Sequence, residues 1–130
     1  MKKIFIFLLF VLSFSSNINA QTDSRLYGTW FRHDVGFYFE KTFYENNTYE
    51  EHENYNNGSR QYWKGTYIVN NGNLFMFKTH IMRVGFNKNI DNVWQPMEDV
   101  TGQYPHTYSI VGNTLIIYFW GRTRHVYEKK

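Results

Sequence analysis

Five histidines, His33, His52, His80, His106 and His125, are the side chains with the widest chemical reach in this 130-residue chain. Imidazole can ligate a metal, hold haem iron or carry a proton. None of the five forms a His-x-His or His-x-x-x-His pair, and there is no cysteine to complete a thiolate set. Neither a metal site nor a single-His haem contact is expected, and the histidines read as surface or strand-end residues. The run Glu50-Glu51-His52-Glu53 supplies the paired carboxylates that acid/base chemistry uses. Adjacent residues on a strand face opposite ways, so the run reads instead as a solvated edge whose charges deter edge-to-edge pairing. Ser24, Ser59 and Ser109 sit in no nucleophile elbow, and no Gly-rich phosphate loop occurs. The expectation is a protein that is not an enzyme.

The elements that must position these residues are strands. After residue 20, helical periodicity gives way to short runs of Phe, Tyr, Trp, Val, Ile and Thr ended by Asn/Gly turns. The pattern predicts strands at Leu26–His33, Gly36–Glu45, Thr48–Tyr55, Gln61–Val69, Leu74–Val84, Tyr104–Val111, Thr114–Trp120 and Arg124–Lys129. A ninth is placed near Asn92–Trp94, within an irregular segment over 85–103. Asn-Gly pairs suit tight hairpins because both central residues take positive φ. Thr66–Leu74 and Thr107–Leu115 echo one another as strand, turn, strand. The sequons Asn46-Asn47-Thr48 and Asn57-Gly58-Ser59 are read as turns.

Lys2 and Lys3 precede the apolar run Ile4–Phe14, and Ala20 ends a short polar stretch. That predicts a signal peptide over residues 1–20, too short in its apolar run to span a bilayer, and an exported protein, periplasmic or secreted. Residues 21–130 then form one domain. Two of the fourteen basic residues lie in the leader, leaving 12 basic against 11 acidic. No basic face interleaved with aromatics remains, so no nucleic-acid partner is expected. Without disulfides, stability must come from packing, and aromatic residues make up 21% of the chain.

Alternation assigns the inner faces. Trp63, Gly65, Tyr67 and Val69 form the more apolar side of their strand, and Phe37, Phe39 and Phe43 share a face with Lys41. On the next strand Phe75, Phe77, Thr79 and Ile81 are favoured over Leu74, Met76, Lys78 and His80. Leu115–Trp120 is apolar on both sides, so its outer face is expected either to pack against the 85–103 segment or to meet a second copy.

The order Gly28-Thr29-Trp30, then Trp63-Lys64-Gly65-Thr66-Tyr67, then Gly112-Asn113-Thr114-Leu115 resembles the lipocalin-like proteins of the calycin group. It is similar in particular to small exported bacterial lipocalin-like domains. The resemblance implies an all-β fold, a single antiparallel up-and-down barrel of about eight strands. It also implies that Trp30 closes one end, with Arg122 or Arg124 from the last strand across its ring.

Two functions follow as expectations. One is binding of a small hydrophobic or aromatic molecule in an interior lined by Phe37, Phe39, Trp63, Tyr67, Phe75, Phe77 and Tyr108, with no cofactor. The other is an interaction module with a filled interior, meeting a protein or glycan through Tyr38, Tyr44, Tyr62, Tyr118 and Trp120.

Overall fold

The structure, a computed structural model, describes residues 22–86, 91–98 and 102–130. The expected leader over 1–20 lies outside the described residues. Among the described residues nine strands follow a three-residue 3₁₀ turn at Ser24–Leu26: β1 Gly28–Asp34, β2 Phe37–Phe43, β3 Thr48–Tyr55, β4 Arg60–Asn70, β5 Asn73–Val84, β6 Gln95–Pro96, β7 His106–Val111, β8 Thr114–Phe119 and β9 Thr123–Lys129. All the pairings between them are antiparallel.

Consecutive hairpins pair in turn, β9 returns to β1, and β4 pairs β5, so eight strands close into a barrel. Closure removes the free edges that an open sheet would expose. The expected up-and-down barrel is what the chain forms. The ninth strand falls at Gln95–Pro96 rather than Asn92–Trp94, pairing with His80 and Ile81 outside the closed ring.

Turn chemistry follows the sequence. Asn71 and Gly72 both hold positive φ, 52° and 76°, between β4 and β5. In each sequon the first Asn side chain accepts hydrogen bonds from the backbone N–H and hydroxyl two residues on, Thr48 and Ser59 respectively. These are Asx turns, in keeping with the turn reading.

Packing concentrates at the end where β1 begins. Leu26, Trp30, Phe43, Tyr49, Tyr67, Leu74, Leu115 and Ile117 are buried there almost completely and form one cluster with Val69, Met76 and Tyr127. Each large apolar side chain removed from water contributes roughly 2 kcal/mol. The 3₁₀ turn is a plug beneath this cluster. Asp23 caps it and accepts the Tyr108 hydroxyl at 2.6 Å, while the Trp30 indole N–H donates to the Leu26 carbonyl at 2.8 Å.

Two expectations about faces are corrected here. Phe75 and Phe77 point outward, because their partners Ile68 and Thr66 lie on the outer face while Leu74 and Met76 enter the core. The cause is a β-bulge: Lys64 pairs with His80 but Gly65 pairs with Lys78, leaving Thr79 extra. One extra residue reverses the parity of everything before it. Ile81, beyond the bulge, does pair with inward Trp63.

The described part of the 85–103 segment lies against β4 and β5. Gly102 packs against Phe77, and Lys64 lies 4.5 Å from the ring centre of Trp94.

Candidate functional site

The upper half of the interior, toward the β1–β2 and β8–β9 turns, is built differently. Register places Arg32, Phe39, Lys41, Glu51 and Glu53 on the inward faces of β1, β2 and β3. With Lys78 from β5 and Phe119, His125 and Tyr127 from β8 and β9, they surround a cavity of 180 Å³. That is the volume of about six water molecules in the liquid.

At its floor Lys41 and Glu51 form a buried ion pair at 2.7 Å, and Lys78 reaches the other Glu51 oxygen at 3.7 Å. Burial alone would push both ionisations toward the neutral forms. The Glu51 charge nevertheless holds Lys41 above its ordinary pKa, and Lys41 with Lys78 holds Glu51 below its own. The pair is charged. Lys78 also stacks on Trp63, 4.6 Å from the ring centre.

Glu53 accepts the Tyr55 hydroxyl, whose pKa is pushed up to about 12 by burial and by that carboxylate. His125 is held below its usual range by burial and by the Arg32 and Lys41 charges, so it is neutral near pH 7.

Arg32 occupies the wall between Phe39 and Tyr127, its guanidinium carbon 4.5 Å and 5.7 Å from the two ring centres. Its Nη1 lies 3.6 Å from an Asp34 oxygen. Its Nε is buried and has no acceptor among the described residues. Arg32 also lines a cleft of 230 Å³ on the outside of the barrel with Phe31, His33, Val126 and Glu128. The cleft exists because β1 and β9 pair only at Trp30–Lys129 and Phe31–Glu128, so the seam parts above Phe31.

A second hollow of 450 Å³ lies at the rim, lined by Gly36, Phe37, Tyr55, Asn56, Asn57, Ser59 and Phe86. At the opposite side of the mouth Trp120 is two-thirds exposed, with φ 51° in the β8–β9 turn, a conformation that strains a bulky side chain. It lies near the rings of Phe119 and His106.

The expected lining is only partly gathered. Phe39 lines the cavity, Phe37 sits at the rim, and Trp63 stands behind Lys78. Tyr67 and Tyr108 belong to the closed end, where the Tyr67 hydroxyl donates to the Tyr44 carbonyl at 2.8 Å. Phe75 and Phe77 are on the outer wall. The acidic run is no solvated edge, because β3 is paired on both sides and directs Glu51 and Glu53 inward. His106 and His125 are likewise more enclosed than a surface reading implies; His106 is 8% exposed. Among the described residues no three His, Asp or Glu side chains converge on a metal position.

Trp30 is buried in the cluster at the base, but neither arginine lies on it. Arg122 and Arg124 belong to the β8–β9 turn and the exposed side of β9, at the other end of the barrel. Lys129 takes the place instead, its Nζ 4.7 Å from the Trp30 ring centre.

Comparison with known protein families, curated proteins and solved structures finds no match. The chain is a closed eight-stranded antiparallel β-barrel consistent with a calycin-like fold, on the strength of its own topology.

Proposed function

We propose that this is an exported, non-catalytic binding protein that takes a small molecule into the upper half of its barrel. The observation that carries the reading is the division of the interior: a solid apolar base beneath a 180 Å³ cavity with aromatic and charged walls. Side chains of an eight-stranded barrel can fill it completely, and in the lower half they do. A cavity kept above that packing, with convergent polar groups, is the usual mark of a ligand site.

The lining refines the ligand. A purely hydrophobic guest would leave the charges of Arg32, Lys41, Lys78, Glu51 and Glu53 against apolar surface, at high cost. The guest that fits carries a flat apolar body for Phe39, Phe119 and Tyr127 together with a polar group. The volume is below the range of about 300–1,000 Å³ typical of drug-sized sites. A compound of roughly six to ten heavy atoms suits it.

The alternative, recognition through outer aromatics, has less behind it. Tyr38, Tyr62 and Tyr118 are spread over β2, β4 and β8, and Tyr38 is engaged with Glu40. A fragment screen by ligand-observed NMR tests the proposal. Small aromatic fragments with one polar group should bind and compete at one site, and His125→Trp, which fills the cavity, should abolish binding without unfolding the barrel. Fragments that bind that variant unchanged, or a screen with no hits, would contradict it.

A further inference from the structure

The geometry points to a small organic monoanion as the ligand, with Arg32 as the residue that holds its carboxylate or equivalent group. This rests on the small-molecule reading above and narrows it to a charge class.

The cations around the cavity are unevenly paired. Three cations, Arg32, Lys41 and Lys78, face Glu51 and Glu53, and Asp34 stands beside Arg32. Lys41 and Lys78 share Glu51, and Glu53 is occupied by the Tyr55 hydroxyl. An added anion would therefore meet Arg32, paired only loosely with half-exposed Asp34, in a low-dielectric wall where the attraction is strengthened relative to water.

Arg32 is the cation least committed to the fold. Among the described residues its one paired carboxylate is Asp34, at 3.6 Å from Nη1, and that side chain is 54% exposed. The Nε on the side-on edge of the guanidinium has no acceptor among the described residues although it is buried. A buried donor left without an acceptor is costly, and in native proteins such a group calls for an explanation. A carboxylate that reaches this edge would satisfy it with two parallel hydrogen bonds, which the planar arginine fork matches and an ammonium does not.

The fork is also held ready. Phe39 and Tyr127 flank the guanidinium at cation–π distances, limiting the freedom it would lose on binding. Neutral His125 and the apolar edge of Phe119 leave room for a ring rather than a second charge.

Three probes that share a ring and differ in charge provide the test: benzoate, benzyl alcohol and benzylammonium, titrated calorimetrically into the full folded protein at pH 7. Benzoate should bind at least tenfold more tightly than benzyl alcohol, with benzylammonium weakest. Arg32→Gln should bring benzoate down to the alcohol's affinity and leave the alcohol unchanged, with near-UV circular dichroism reporting that the barrel is intact. The wild-type ranking needs no variant to be read. Equal or tighter binding of the alcohol or ammonium would overturn the anion assignment and leave the small-molecule reading standing. If none of the three binds and the fragment screen is also silent, both readings fall.

Discussion

Lys129 lies over the indole of Trp30 and donates to the Tyr27 carbonyl, tying the last strand to the first across the base of the barrel. Trp30 pairs with Lys129 in the β1–β9 register, so the cation arrives there by backbone pairing. Cation–π attraction of about 0.5–2 kcal/mol and one charged hydrogen bond act together. Lys129→Met should therefore destabilise the protein by about 1–2 kcal/mol in denaturant unfolding. Arg122→Ala and Arg124→Ala should change it by less than about 0.5 kcal/mol, as exposed substitutions do.

Glu51 should be far less replaceable than its place in an acidic run suggests. Removing its charge leaves Lys41 buried against Phe119 and Tyr127 without the carboxylate it is paired to. Breaking a buried pair costs about 3–5 kcal/mol, while replacing both partners by apolar groups is often neutral. Glu51→Gln should fall near that range in equilibrium unfolding, and Lys41→Met combined with Glu51→Leu should recover most of the loss.

Gly65 is fixed by a close approach. A Cβ there would stand 1.8 Å from the Phe77 carbonyl oxygen, where β5 bends inward at the Thr79 bulge. The obstacle is backbone and cannot rotate aside. Gly65→Ala should lower stability by about 3 kcal/mol or more, at the severe end for overpacking. Gly72→Ala, with nothing within 4 Å of the added carbon, should cost only its turn strain, about 1 kcal/mol.

Asp23 gives the base of the barrel a pH dependence. Its pKa is lowered from 3.8 to about 2 by the Arg25 side chain, against the effect of burial, with help from the Tyr108 hydroxyl. A carboxylate whose folded pKa is depressed stabilises above its unfolded pKa, and that stability is lost as pH falls through the folded value. Wild type should exceed Asp23→Asn by about 1 kcal/mol at pH 7, after solvent screening. The gap should shrink between pH 4 and pH 2 when unfolding is followed across that range.

Strand order was legible because Asn/Gly turns and aromatic runs report local backbone geometry. On β2 the alternation of Phe37, Phe39, Lys41 and Phe43 carried straight into the structure, since nothing interrupts that strand. On β5 the same argument failed at Phe75 and Phe77, because apolar periodicity contains no sign of the extra Thr79. The charged cavity was harder still to see. Lys41 and Glu51 meet only after β2 and β3 pair, and Arg32 lies between Phe39 and Tyr127 only after β1 is flanked by β2 and β9. Such juxtapositions are properties of register, and register is set by contacts across the whole barrel.

Amide chemical-shift mapping during a titration with a bound fragment tests the central claim most directly. The account predicts changes concentrated at Arg32, Phe39, Glu53, His125 and Tyr127, around the upper cavity. Changes confined to the outer wall at Tyr38, Tyr62 and Tyr118, with the interior amides still, would contradict it.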